Sequence, residues 1–219
     1  TAQAIGANCT FRRKALDSIG GHAPGLTEDM HTSMLLHSKG WKSLFVPEVI
    51  SHGMVPVNMS SYFKQQLKWS RGSFDLFFKV LPKITKGLNW KQILHYLSIP
   101  LYFMFGLFIL IDFLIPTFSL LTGDYPIKCR MDDLAIMLLP ILFTSFYIKL
   151  YAQRWYYERH EKGFHFYGEV LRYSTWWINL LGFFYTIIGR KVPYIPTPKE
   201  DEAVNEFKIL IPNFTLIVV

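Results

Sequence analysis

Hydrophobic and polar positions change rhythm several times along the chain. Residues 10–18 predict a short helix around Arg12-Arg13-Lys14-Ala15-Leu16, closed by Gly20-Gly21. Glu28 to Lys39 predicts a second, with Met30, Met34 and Leu35 at helical spacing. Thr27 suits its N-cap, Glu28 and Asp29 its first turn, and Gly40 its end. Trp41 to Val46 alternates as a strand that Pro47 stops. This helix-then-strand order is that of the tail of a soluble α/β domain. No phosphate-binding glycine loop and no strand-ending pair of aspartates precede it.

From Ser60 to about Leu81 the pattern is amphipathic. Tyr62, Phe63, Leu67, Phe74, Phe77 and Phe78 supply apolar surface, and Lys64, Lys68, Arg71 and Lys79 supply charge. Such a helix lies along a membrane surface or in a soluble core, and the pattern fits both. Beyond it the character turns to that of lipid. Ile93 to Leu121 holds one acid and no base, interrupted by Pro100, Gly106 and Pro116, and is long enough to span a bilayer with tilt or a kink. Leu134 to Tyr151 is a second, shorter candidate span, with Lys149 placed to snorkel. Gly168 to Gly189 mixes Glu169 and Arg172 with Trp176, Trp177, Phe183 and Phe184, and Phe207 to Val219 opens a further apolar run.

Composition sharpens this division. The 219 residues are 51% hydrophobic, 17% aromatic and only 18% charged, with a mean hydropathy of +0.20 that is high for a soluble enzyme. Abundant large apolar side chains exclude intrinsic disorder. Cys9 and Cys129, the only cysteines, exclude a disulfide scaffold and belong to no metal-ligand pattern. A first residue other than Met and a last residue inside an apolar run suggest a fragment. The formal net charge of +7 is distributed unevenly. Lys79, Lys83, Lys86 and Lys91 lie on one connection and Arg154, Arg159 and Lys162 on another, while residues 122–133 carry Lys128 and Arg130 against Asp124, Asp132 and Asp133. The positive-inside rule puts the α/β segment in the cytoplasm and residues 122–133 outside. Bases facing an anionic leaflet explain the charge without any nucleic-acid partner.

Three motifs carry candidate chemistry. Thr27-Glu28-Asp29 places two carboxylates at a helix start, where a plain capping role is the commoner explanation. His22 and His31 nearby have no metal-ligand spacing and are taken as ordinary side chains. Gln65-Gln66-Leu67-Lys68-Trp69 sets Gln65, Trp69 and Gly72 along one helical stripe with Lys68 beside it. That face offers an amide, an ammonium and an indole, with a gap at Gly72. It suits a sugar nucleotide, and equally an interfacial helix with a snorkelling Lys and a belt Trp. Tyr194-Ile195-Pro196-Thr197-Pro198-Lys199 offers a hydroxyl and an ammonium suited to phosphate, or forms a proline-rich linker.

In this order the motifs resemble the membrane-embedded processive family-2 glycosyltransferases, and within them cellulose synthases. Thr27-Glu28-Asp29 matches T-E-D, and Gln65 to Trp69 matches Q-x-x-R-W with Lys68 in place of Arg. Tyr194 to Lys199 is similar to the F-x-V-T-x-K gating loop, with Tyr194 and Pro196 departing from it. Ile5-Gly6-Ala7-Asn8 with Phe11-Arg12-Arg13 is similar to the segment that lines the acceptor site, and Gly40-Trp41 and Val46-Pro47-Glu48 also fit. The resemblance implies a GT-A-like α/β transferase domain, of which residues 1–57 are the C-terminal part, followed by an α-helical membrane region. Residues 58–92 then form an interfacial amphipathic region and 93–151 a transmembrane hairpin. Residues 152–205 form a cytoplasmic stretch with an interfacial helix over Gly168 to Gly189, and 206–219 start a further span. Asp112 inside a span lines a polymer channel or pairs with another helix.

By the same resemblance Asp29 is the general base, Thr27, Glu28, Gln65, Lys68 and Trp69 bind substrate, and Thr197 and Lys199 close over the nucleotide. The implied partners are a UDP-sugar, a growing glycan, the lipid bilayer of the cell membrane and accessory export subunits. Mg²⁺ or Mn²⁺ is the implied cofactor, with no ligand in this chain, which alone is expected to be inactive. Cellulose from UDP-glucose is the leading product. Hyaluronan, chitin, poly-N-acetylglucosamine and a glycolipid are alternatives. A channel or transporter is the alternative of another class, but it predicts internal repeats that the chain does not show.

Overall fold

The computed structural model describes residues 2–6, 8–46, 48, 51–124, 128–155, 162–191 and 206–218, and the Tyr194 to Lys199 motif lies outside them. The described residues are helical, and none forms a strand. They fall into two units, residues 1–111 with 174–219, and residues 112–173.

In the first unit, α1 spans Arg13–Ser18 and α2 spans Glu28–Ser38. The strand expected over Trp41 to Val46 is absent: the segment has no ladder, and Leu44 is 86% exposed. A strand forms only where a second extended segment pairs with it, whereas here the Trp41 N–H bonds the Leu36 carbonyl and the Val46 carbonyl accepts from Glu48 N–H, both local contacts. The described residues are thus helical, and they do not confirm the α/β part of the expectation. Leu44, Phe45, Met54 and Val55 leave an exposed apolar stretch before the next helix.

Helix α3 (Met59–Asp75) starts where the Asn58 side chain accepts the Ser61 N–H at 2.9 Å. Leu76–Val80 then form a π-helical turn leading into the short α4 (Leu81–Ile84). Pro82 explains that slip, because it has no N–H for the carbonyl of Phe78 and its ring crowds that carbonyl. A capping box starts α5 (Trp90–Phe103), with Asn89 and Gln92 bonding each other's backbone N–H at 3.0 Å. The single stretch expected over Ile93 to Leu121 is two helices, α5 and α6 (Phe105–Thr122), separated at Met104. Pro100 sits inside α5 just ahead of that break. Tyr96, Pro100 and Phe103 are buried, so α5 belongs to the packed core with Met34, Leu76, Leu81 and Leu88.

Gly168 to Gly189 was expected as one interfacial helix. It forms α8 (Phe166–Ser174) and α9 (Trp176–Ile187), separated at Thr175. Helix α9 lies along α3 with Trp176, Ile178, Asn179, Leu180, Gly182 and Thr186 buried. An apolar composition does not tell lipid from protein, and here protein covers it. The seam is tight: Ser70 donates to the carbonyl of Asn179 at 3.2 Å, opposite Gly182. Phe63 meets Trp177 edge-on at 5.7 Å, and Phe74 meets Phe183 at 5.2 Å. Helix α10 (Glu206–Val218) joins through Asn213, which accepts the Trp176 indole N–H at 3.1 Å.

In the second unit, α7 (Met131–Ala152) runs into a 3₁₀ turn over Gln153–Trp155. None of its residues is buried, and in α6 only Gly106 is. Phe105–Thr122 and Met131–Trp155 are both long and apolar enough to cross a membrane. Asp112 is exposed and makes no hydrogen bond or ion pair among the described residues. Lys149 of α7 pairs with Glu169 of α8, and Arg172 holds the same carboxylate at 2.8 Å. These contacts, led by the Lys149 hydrogen bond, hold the Glu169 carboxyl below its ordinary range.

Gly182→Ala tests the α3–α9 seam. Its Cβ would fall 2.2 Å from Ser70 Oγ and 2.7 Å from Ser70 Cβ, an overpacking expected to cost about 1–3 kcal/mol. Gly168→Ala meets nothing closer than 3.6 Å. Thermal unfolding of the intact protein in detergent should show a lower Tm for the first and no loss for the second.

Candidate functional site

The two strongest sequence motifs meet. Thr27 is buried at the start of α2, against the glycine of α3: a Cβ on Gly72 would lie 2.6 Å from Thr27 Cγ2 and 3.2 Å from Leu26 Cβ. The gap at Gly72 thus admits Thr27 of the same chain, whereas the sequence suggested room for a ligand. Thr27 stands at the N-cap position without a side-chain capping bond. Its expected capping role is corrected to a packing one. Lys68 and Trp69 precede Gly72 by about one helical turn, roughly 6 Å along the axis.

Asp29 is half-buried, and two backbone donors fix its carboxylate. Oδ1 accepts the Met30 N–H at 2.7 Å, and Oδ2 accepts the Gly6 N–H at 2.8 Å. The second bond belongs to a set along the extended segment 2–6. Ala4 donates to Ser33 Oγ at 2.6 Å and Ala2 donates to Ser43 Oγ at 3.1 Å. Alternate N–H groups of an extended chain face one way, so residues 2, 4 and 6 all reach side chains of α2 and the segment after it. Gly6 is thereby held against Asp29.

Glu28 is exposed beside Asp29. Of the remaining expected site residues, Gln65 and Lys68 are half-buried, Gln66 is buried, and Trp69 presents an exposed indole. Thr197 and Lys199 lie outside the described residues. No group of three or more His, Cys, Asp and Glu side chains converges among the described residues to fit the Mg²⁺ or Mn²⁺ that the resemblance implies.

Two features escaped the sequence reading. Arg71, counted among the charges of a polar face, is buried. Its Nη1 donates to Thr186 Oγ1 at 3.1 Å, its Nε donates to the Arg190 carbonyl at 3.3 Å, and it pairs with Asp75. Burial works to raise the Asp75 carboxyl, but hydrogen bonds from Arg71 and Lys79 outweigh it and hold the group below its ordinary value. The i,i+4 pair Arg71–Asp75 was visible in the sequence; the acceptors on α9 were not. The other feature is a chain of hydrogen bonds that runs from buried Tyr96 through buried His37 to the exposed Ser43. Nδ1 lies 2.5 Å from the Tyr96 hydroxyl and Nε2 lies 2.8 Å from Ser43 Oγ. Ser43 donates its own proton to the Ala2 carbonyl. It therefore accepts from Nε2–H, and the neutral imidazole accepts from Tyr96 at Nδ1. No spacing in the sequence signals a pair so far apart in the chain.

The profile of the cellulose synthase family matches residues 5–178. This chain belongs to the cellulose synthase family. It is 30% identical over 141 residues to the UDP-forming cellulose synthase catalytic subunit of Komagataeibacter sucrofermentans, covering 64% of this chain and 19% of that protein. It is 29% identical over 141 residues to putative cellulose synthase 2 of Komagataeibacter xylinus, covering 64% and 9%. It is 27% identical over 143 residues to cellulose synthase-like protein D4 of Arabidopsis thaliana, covering 64% and 13%. The matched stretch thus spans less than a fifth of each of these relatives.

Two outcomes follow from this geometry. Gly72→Ala would place a Cβ 2.6 Å from Thr27 Cγ2, and this overpacking should cost about 1–3 kcal/mol. Thermal unfolding of the full-length protein in detergent should show the lower Tm. Burial is the leading cause that lowers the His37 pKa. The folded state then binds fewer protons than the unfolded chain just below pH 6.5. Stability is therefore full above that pH and falls as pH drops through the folded value, by at most about 1.4 kcal/mol per pH unit. Thermal unfolding between pH 8 and 5 should show the loss, and His37→Gln should flatten it.

Proposed function

We propose that this chain is part of a processive, inverting glycosyltransferase that extends a cellulose-like β-linked glucan from UDP-glucose and passes it through the membrane. The observation that carries this reading is the Thr27–Gly72 contact, which joins T-E-D to the Gln65–Trp69 motif, with Asp29 oriented by Gly6. Asp29 takes the proton of the acceptor hydroxyl as that oxygen attacks the anomeric carbon from the face opposite UDP. The new C–O bond forms as the sugar–phosphate C–O bond breaks, and its electron pair leaves on the diphosphate.

Lys68 supplies positive charge toward that diphosphate, but as a point charge without the planar fork of an arginine. Trp69 offers an exposed ring on which a sugar can stack. Thr197 and Lys199 close over the bound nucleotide. Helices α6 and α7 cross the bilayer as a hairpin, a reading supported by apolar surfaces that no described protein covers. Helix α9 does not cross, consistent with its burial along α3. By parity, T-E-D, Gln65–Trp69 and Arg190 then share the cytoplasmic side. The divalent cation and uridine are held by parts of the enzyme other than the described residues.

Full-length enzyme in proteoliposomes, supplied with radiolabelled UDP-glucose, should make polymer that an endo-β-1,4-glucanase degrades. Asp29→Asn should lower synthesis by about 10²–10⁴, the contribution of a positioned base. Polymer made only from UDP-N-acetylglucosamine would move the chain to a chitin-like or related product. No incorporation from any UDP-sugar would overturn the reading.

A further inference from the structure

At the end of α7 three aromatic side chains form a stripe, Tyr147, Tyr151 and Trp155, spaced four residues apart on one helical face. Tyr147 and Tyr151 stack at 6.3 Å, and Tyr151 meets Trp155 edge-on at 5.4 Å. Arg154 lies against the last two rings: its guanidinium carbon is 4.0 Å from the Tyr151 ring centre and 4.1 Å from that of Trp155. The two ring centres are only 5.4 Å apart and the rings are nearly perpendicular, so both lie to one side of the guanidinium, and Arg154 itself is exposed. The bases nearby are already committed, since Lys149 and Arg172 both hold Glu169. Arg154 makes no hydrogen bond or ion pair among the described residues.

The position along the helix identifies the ligand. Met131–Trp155 is apolar and exposed over the length of a membrane crossing, and Arg154 stands at its last turn. Exposed Tyr and Trp at such an end sit at headgroup depth, where the available anion is a lipid phosphate. We propose that Arg154, held by Tyr151 and Trp155, is a docking site for the phosphate of an anionic phospholipid. Its fork matches two phosphate oxygens, and the rings fix the fork before the lipid arrives. Gln153 braces the site, since its side-chain amide bonds both the N–H (2.9 Å) and the carbonyl (2.8 Å) of Gly163. The proposal rests on the reading of α7 as a membrane span.

Full-length protein in nanodiscs of phosphatidylcholine with phosphatidylglycerol tests it, with retained lipid counted by native mass spectrometry after mild delipidation. Wild type should retain phosphatidylglycerol preferentially, and Arg154→Gln should weaken that retention about fivefold. Arg154→Lys should restore it only in part, because an ammonium lacks the fork. Tyr151→Leu with Trp155→Leu should weaken it while the charge remains. Equal retention by wild type and Arg154→Gln would overturn the proposal, as would displacement of the lipid by millimolar inorganic phosphate. A nitroxide on Trp155→Cys separates the two readings through its accessibility to oxygen and to an aqueous nickel chelate. Headgroup depth with unchanged lipid retention sinks the lipid site alone, whereas full aqueous exposure sinks the membrane span and the site with it.

Discussion

Gly72 has no β-carbon, and Thr27 occupies the space where one would be. Much of the first unit depends on that approach. It sets the start of α2 against the middle of α3 and brings a carboxylate motif to within a turn or so of a motif offering amide, ammonium and indole. Neither motif carries much chemistry alone, since an acid at a helix start is ordinarily a cap and a Lys–Trp pair on an amphipathic helix is ordinarily a surface anchor. Their shared contact turns two ambiguous motifs into one candidate site, with Asp29 further fixed by the N–H of Gly6.

Helix α3 performs this role because its other sides are also committed. The small Ser70 lets α9 approach closely, with Gly182 opposite it. Buried Arg71 spends its donors on Thr186, the Arg190 carbonyl and Asp75. A buried guanidinium with these partners is stable only in one arrangement, because any shift strands a charge away from water. The seam therefore fixes α3 in rotation as well as position, and so fixes the direction in which Lys68 and Trp69 face.

The second unit follows a different solvent logic. Its long helix buries nothing, and its polar contacts gather at one end, where Lys149, Glu169 and Arg172 form a network and Gln153 clasps Gly163. In water such a surface would collapse or aggregate. In a bilayer it is ordinary.

Helical periodicity, the presence of apolar runs long enough to cross a membrane, and the motifs that mark the family are legible along the chain. Those signals are local: spacing and runs of hydropathy are properties of neighbouring positions. Tertiary structure alone decided that Trp41 to Val46 forms no strand, that α9 is covered by α3, and that Arg71 is interior. It alone also decided that His37 bonds Tyr96 and that Gly72 receives Thr27. Each of these depends on what a residue meets from a distant part of the chain. An apolar face or a charged side chain reads the same in sequence whichever partner covers it.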